Sequence, residues 1–234
     1  MDFIEKAYGE SFETILWLIN PFKKFFVKTL CEVHMFINKR ALEILKNDGY
    51  VDAYDYLSKY LHYINVGVYW ADQDFKSREH FYNPYTYKGL YGCKSSRQKF
   101  ARYYGCAKVY WDCGDKEMAM KYLGAAVHLI QDATVPQHAN VNLLKSHRSF
   151  EKWVRKVHDN FEEFAANEGG IYLDNPYLYI EKNAKDSIAI YNRYSTISSR
   201  EERFNRIAGH VFPMAQRTTA GCFLNFYKDM IHPE

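Results

Sequence analysis

Apolar residues recur every three or four positions over long stretches of the chain, which is the spacing of a single buried helix face. The longest stripe runs from Phe22 to Ile44, and the sequence Asn47-Asp48-Gly49 behind it tolerates the left-handed backbone at which helices end. The same spacing predicts four further helices, over 95–113, 116–132, 147–166 and 199–230. The sequence lacks the strict alternation that marks half-buried strands. The pattern therefore predicts an all-α protein.

The fourth predicted helix carries the most aromatic of these stripes, made of Phe150, Trp153, Val154, Val157, Phe161 and Phe164. Three stretches between the helices lack the helical spacing and are predicted to be irregular, over 73–94, 135–146 and 168–177. Loops of this length in a compact helical protein often carry function. The first of them is rich in tyrosine, and we expect its aromatic residues mainly to pack in the core, with a substrate-contacting or membrane-contacting rim as the alternative.

The length and charge of the chain limit what it can be. With 234 residues it has the length of one domain, and we expect a single domain over 1–234 in which 1–20 form an N-terminal extension. The 31 Lys and Arg residues against 28 Asp and Glu give a net charge of only +3, so we expect no nucleic-acid partner. The apolar run Thr14–Phe22 is shorter than the roughly 20 residues that span a bilayer, and no signal-peptide cleavage site is visible.

Histidine and carboxylate residues cluster in the middle of the chain. His128 and Asp132 are four residues apart on one predicted helix, so their side chains share a face. His138 lies in the loop that follows, and His147 and Glu151 form a second pair with the same spacing. A single such pair is usually only hydrogen-bonded, but two pairs on either side of a loop histidine favour a metal site. Imidazole and carboxylate ligands suit zinc, with iron and manganese as competitors.

The residues around this cluster form longer motifs. The segment from Tyr122 to Ala139 reads YLGAAVHLIQDATVPQHA, and His147 begins the sequence HRSFE. Both resemble the signature of the bacterial zinc-dependent phospholipases C, and further similar segments follow in that family's order, at 34–44, 67–72, 79–84 and 215–221. The resemblance covers about 31–230. It implies a multi-helix fold with a metal cluster in a cleft, a scaffold shared with single-strand-specific zinc nucleases.

The resemblance also implies a set of metal ligands. The implied groups are Asp72, His80, His128 and Asp132 for one zinc ion, His138, His147 and Glu151 for a second, and His34 with a bridging Asp132 for a third. Two zinc ions are expected, and the third stays open: in this family a tryptophan at the start of the mature chain completes that site, whereas here 33 residues precede His34. Core packing for His34, a turn or cap role for Asp72 and a structural role for His80 are the alternatives.

The activity that the resemblance implies is hydrolysis of phospholipids by metal-activated water, giving diacylglycerol and a phosphorylated headgroup. Asp72 is the candidate catalytic residue that orients or deprotonates the water, or it acts as a ligand only. A preference for choline is not expected, because Gln73 and Ser77 stand where the family has aromatic residues. The enzyme would be a monomer acting at a membrane surface, extracellular as its relatives are, with a cytoplasmic location left open by the missing signal.

Two other functions compete with this hypothesis. A single-strand-specific zinc nuclease would use the same scaffold, but such enzymes carry a Gly-Gly-Asn segment after the loop histidine, where this chain has Ala139-Asn140-Val141-Asn142. The other alternative is an inactive, metal-stabilised relative that binds membranes without turnover.

Overall fold

The computed structural model describes residues 20–72, 79–90, 94–141, 149–150, 153–154, 157 and 162–232, and for 20–31 it describes the backbone alone. Within these residues every regular element is helical, so the predicted all-α class is confirmed. The helices are α1 (Asn20–Asn47), α2 (Val51–Ser58), α3 (Leu61–Ala71), α4 (Ser96–Asp112), α5 (Lys116–Asp132), α6 (Pro136–Ala139), α7 (Tyr179–Tyr194) and α8 (Arg200–Phe226). A 3-10 turn, Pro176–Leu178, leads into α7, and a π-helical turn, Tyr227–Ile231, follows α8.

Four of the five predicted helices are confirmed, as α1, α4, α5 and α8. The predicted helix over 147–166 is wrong at its end, because 162–164 form a 3-10 turn and 165–167 are not helical. Its aromatic stripe is nevertheless buried at Phe150, Trp153, Val154 and Phe164. The stretch 135–146 was expected to be irregular but contains α6, which begins at a proline whose fixed φ suits the first helical position.

The C-terminal end of α1 is fixed by two sets of hydrogen bonds. Gly49 adopts a φ of +92°, and the amide of Tyr50 donates to the carbonyl of Leu45 at 2.8 Å, which closes the helix in a Schellman motif. The carboxylate of Asp48 then accepts bonds from Gly170 N at 2.7 Å and from Tyr172 Oη at 2.5 Å. The loop over 168–172 is thereby held against the end of α1.

Helix α5 lies at the centre of the fold and packs against α3, α4 and α8. From Leu123 to Asp132 every one of its residues is buried. Its contact with α3 is made backbone to backbone at two glycines. A Cβ atom added at Gly124 would lie 1.9 Å from the carbonyl oxygen of Ile64, and one added at Gly67 would lie 1.9 Å from that of Lys121. These glycines let the two helices approach closely.

The core formed by the described residues consists of two hydrophobic clusters. The larger surrounds α5 and includes Leu45, Ile64 and Leu123, while the smaller joins α1 to α8 through residues such as Ile37 and Phe204. In the part of the chain that is described, none of the helices combines the length and the apolar character that crossing a bilayer demands.

Candidate metal centre

Six of the eight predicted ligand residues come together beside the C-terminal end of α5. They are His34 from α1, Asp72 at the end of α3, His80 from a 3-10 turn, His128 and Asp132 from α5, and His138 from α6. The other two, His147 and Glu151, lie outside the described residues. Helix spacing alone predicted the proximity of His128 and Asp132, whereas no spacing along the chain predicts that His34, Asp72 and His80 lie in the same place.

The carboxylate of Asp132 is the centre of this cluster. Its Oδ2 atom lies 2.7 Å from Nδ1 of His80, 3.2 Å from Nε2 of His128 and 3.6 Å from Nδ1 of His138. Its Oδ1 atom lies 3.6 Å from Nε2 of His34. One carboxylate therefore faces four imidazoles that come from four different elements.

The separations fit a shared cation. Two ligand atoms bound to one tetrahedral zinc ion at about 2.0–2.1 Å lie roughly 3.3 Å apart. Nε2 of His128 lies 3.2 Å from Nδ1 of His80 and 3.8 Å from Oδ1 of Asp72, so these three side chains form one candidate group. His34, His128 and Asp132 form a second. Because one imidazole nitrogen binds one ion, His128 serves only one group at a time.

Burial and mutual attraction set the charges of these groups. Burial, together with the neighbouring His128, lowers the pKa of His34 to about 4, so this imidazole is neutral at pH 7. Burial also disfavours the charged forms of His128 and Asp132, but here the attraction between the two is stronger. This attraction raises the pKa of His128. Together with the attraction to His138, it holds the pKa of Asp132 well below its usual range. An ionised carboxylate thus faces the imidazoles.

The loop that supplies His80 is anchored on both sides. Lys99 of α4 forms an ion pair with Glu79, and the amide of Tyr82 donates to the carbonyl of His138 at 3.2 Å. The Phe81 ring lies 4.6 Å from the His138 ring, measured between centroids. These contacts tie the turn that carries His80 to the helix that carries His138.

The aromatic residues of that loop divide into two kinds. Phe81 and Tyr82 are buried, which confirms the packing role predicted for them. Tyr85 and Tyr87 are 64% and 65% exposed, so core packing is wrong for these two, and they lie on the surface of the loop that follows His80. Asn83 holds this loop tip in shape, because its Oδ1 accepts bonds from the amides of Tyr85 and Thr86.

One polar residue at the cluster was not considered in the sequence reasoning. Gln131 lies on α5 next to Asp132, is 1% exposed, and accepts a hydrogen bond at 2.7 Å through its Oε1 from Nδ1 of His34. The available signal was a glutamine within a helix segment that is otherwise apolar or ligand-forming, from Leu123 to Asp132.

The fold and this cluster define a helical protein with a buried histidine–carboxylate centre for divalent metal. The sequence model of one family, described as zinc dependent phospholipase C, matches residues 33–207. The chain belongs to this family. The match, together with the donor set, identifies zinc as the metal for which the cluster is suited.

Known relatives agree with this assignment. A protein of Clostridium novyi named phospholipase C is 26% identical over an alignment of 234 positions, which covers 84% of this chain and 58% of that protein. Two solved structures share the fold. The alpha toxin of Clostridium absonum has a TM-score of 0.74 at 23% identity, and the alpha-toxin of an avian strain of Clostridium perfringens has one of 0.72 at 20%. Each match covers 86% of this chain and 64% of the toxin, so this chain spans about three fifths of its relatives.

Proposed function

We propose that the protein is a zinc-dependent phosphodiesterase that hydrolyses phospholipids to diacylglycerol and a phosphorylated headgroup. The observation that carries the proposal is the convergence of four imidazoles on the buried Asp132 carboxylate in a chain of this family. The relative named phospholipase C supports the same substrate class. Zinc, when bound, lowers the pKa of a coordinated water and neutralises charge on a phosphodiester.

The residues of the chain divide the remaining work. His80, His128 and Asp72 form the group that would hold one zinc ion, with Asp132 beside it. His138 would hold a second ion together with His147 and Glu151, and His34 with Asp132 would take part in a third site. The number of ions is therefore two, or three if His34 is used.

Asp72 is the residue proposed to orient or deprotonate the attacking water. It ends α3, and its side chain is 14% exposed against 8% for Asp132, so it is the more accessible carboxylate of the cluster. Its Oδ1 lies 3.8 Å from Nε2 of His128, beyond hydrogen-bond distance, which leaves this oxygen able to accept a proton from water.

The substrate is proposed to be reached at a membrane surface, outside the cell, by a single-domain monomer. The exposed Tyr85 and Tyr87 support a surface contact, since tyrosine places an apolar ring and a polar hydroxyl at a wet boundary. Residues 33–207, which match one family model, support a single domain.

The test compares zinc-loaded protein on short-chain phosphatidylcholine, phosphatidylethanolamine and phosphatidylglycerol and on single-stranded DNA. We expect lipid to be hydrolysed and the DNA to remain intact. Cleavage of DNA alone would replace the proposal with a nuclease, and bound zinc without turnover of phosphatidylcholine, phosphatidylethanolamine, phosphatidylglycerol or DNA would replace it with an inactive relative.

The variant Asp72→Asn tests the role of the carboxylate. It keeps a side-chain oxygen of the same size but lacks a base, so we expect zinc content close to that of the wild type and a loss of turnover of about 100-fold or more. Turnover equal to that of the wild type would show that Asp72 is not the base, without contradicting the proposed lipid substrate.

A further inference from the structure

The side chain of Gln131 makes a buried network that no ligand assignment explains. Its Nε2 atom donates to Oδ1 of Asn38 at 2.8 Å and to Oγ1 of Thr219 at 3.2 Å, while its Oε1 faces Nδ1 of His34 at 2.7 Å. All four side chains are buried. The network thus connects α5 to α1 and α8 directly behind the metal-ligand cluster.

The orientation of the Gln131 amide follows from its partners. Asn38 uses its Nδ2 to donate to Oδ1 of Asn65 at 3.0 Å, so its own Oδ1 is left as an acceptor. With Asn38 and Asn65 oriented as they are in the structure, a reversed Gln131 would place its oxygen against that acceptor, and two buried acceptors in contact are unfavourable. Oε1 of Gln131 therefore faces His34, and the bond between them requires the proton on Nδ1 of the imidazole.

This proton placement decides what the other side of the ring can do. With the proton on Nδ1, Nε2 of His34 carries a lone pair and faces Oδ1 of Asp132 at 3.6 Å. Nε2 of His34 and Oδ1 of Asp132 are then both buried acceptors, and no hydrogen atom lies between them. A cation between the two atoms would satisfy both, which is the arrangement of a histidine that binds a metal through one nitrogen and donates through the other.

We propose that Gln131 is a positioning residue of the metal centre, which fixes the tautomer and the ring orientation of His34 so that Nε2 faces the metal. The inference rests on the proposed zinc centre but not on the substrate. Asn38, Asn65 and Thr219 hold the Gln131 amide in the required orientation.

The first test needs neither metal nor a variant. Long-range proton–nitrogen NMR spectra of the metal-free protein report which ring nitrogen of a histidine carries the proton. We expect His34 to be protonated on Nδ1 only. A proton on Nε2 would overturn the proposal, whatever the protein binds or hydrolyses.

The second test measures zinc affinity by competition with a chelator. Gln131→Met keeps the length of the side chain and removes its hydrogen bonds, and we expect the zinc site that contains His34 to weaken about 10- to 100-fold. Gln131→Glu restores an acceptor for Nδ1 but removes the donor to Asn38, so we expect this variant to unfold more easily while its folded form binds zinc within about threefold of the wild type or more tightly. Equal loss in both variants would overturn the proposal.

Asn183 offers a matched control. It is another fully buried side-chain amide, and it donates to the carbonyl of Ile130 and to Oγ1 of Thr218, each at 3.0 Å. Asn183→Leu removes a comparable pair of core hydrogen bonds without touching a histidine, so we expect an unfolding change like that of Gln131→Met with unchanged zinc affinity. If Asn183→Leu weakens zinc binding as much as Gln131→Met does, the role of Gln131 is only structural.

Because these tests measure protonation and zinc binding, they separate the two proposals. Zinc bound with the predicted dependence on Gln131, but without lipid turnover, would refute the proposed function and support the positioning role. Lipid turnover together with a zinc affinity that does not depend on Gln131 would support the proposed function and refute the positioning role.

Discussion

The close contact between α3 and α5 makes a sharp prediction about Gly124. In Gly124→Ala the new methyl carbon would lie 1.9 Å from the carbonyl oxygen of Ile64, whereas real contacts of this kind are almost never shorter than 3.0 Å. The obstacle is helix backbone, which cannot rotate away as a side chain could. The helices must therefore separate by about 1 Å, and we expect a loss at the upper end of the range for overpacked cores, about 3 kcal/mol.

Gly105 provides the matched control, because it also lies inside a helix but an added Cβ would meet no atom within 4 Å. There the alanine should stabilise the protein by about 0.5–1 kcal/mol, since it restricts the unfolded chain. The two variants add the same methyl group, yet their unfolding free energies should differ by about 4 kcal/mol. For a chain of this size that corresponds to melting temperatures about 8–16 °C apart.

Zinc binding gives the same prediction a second readout. His128 lies one helical turn beyond Gly124, and Asp72 ends the helix on the other side of the contact. Separating the helices widens the gap between Nε2 of His128 and Oδ1 of Asp72, now 3.8 Å, so Gly124→Ala should also bind zinc more weakly than Gly105→Ala. Equal melting temperatures and equal zinc affinity in the two variants would refute the backbone contact.

Three further predictions concern other parts of the molecule. Zinc at 1,000 times its dissociation constant should add about 4 kcal/mol to the unfolding free energy, measured by denaturant titration with and without a chelator, and an unchanged midpoint would argue against binding by the folded state. Burial opposes ionisation of Asp48, but bonds from Tyr172 and the amides of Gly169 and Gly170 outweigh it and lower its pKa. A lowered pKa stabilises the fold above the unfolded value of about 4 and loses that effect as the pH falls through the folded value, so Asp48→Asn should cost about 1 kcal/mol at pH 7 and nothing at acid pH. A cost that does not change with pH would contradict this. Replacing Tyr85 and Tyr87 with serine should reduce turnover of phospholipid vesicles and leave that of a soluble short-chain lipid unchanged, and an equal loss on both substrates would exclude a surface contact.

The parts of the fold that could be predicted are those set by local spacing. Helix α5 was predicted with its bounds because its apolar residues recur at the helical period, and in the structure the side chain of Asp115 caps its first turn. Helix α7 was missed because two of its buried positions are the polar Asn183 and Ser187, which dilute the stripe formed by Ile180, Ala184 and Ile188. Helix α2 has only eight residues, too few to establish a period. Helices α2 and α7 are stabilised by packing against other helices, and the tertiary structure alone shows which helices these are.

The candidate site divides in the same way. His128 and Asp132 share a helix face, so spacing alone was enough to pair them. His34 lies 97 residues from Gln131, and their hydrogen bond depends on the packing of α1 against the rest of the fold. Resemblance to a family led to His34, Asp72 and His80, because motif matching needs no distances. Gln131 was missed because glutamine is not a usual zinc ligand. A search for ligand residue types does not find a residue that orients a ligand such as His34.

The cost of burying these groups is itself an argument for a metal. An ionised carboxylate in a protein core is destabilising unless it is fully paired, and an apolar residue of similar size in its place is often neutral or stabilising. Asp132 has two contacts of hydrogen-bond length, to His80 at 2.7 Å and to His128 at 3.2 Å, while His34 and His138 stand at 3.6 Å. Such an arrangement does not stabilise the helices. It does suit a bound dication, because the ion neutralises the carboxylate and binds the lone pairs of the imidazoles that face it.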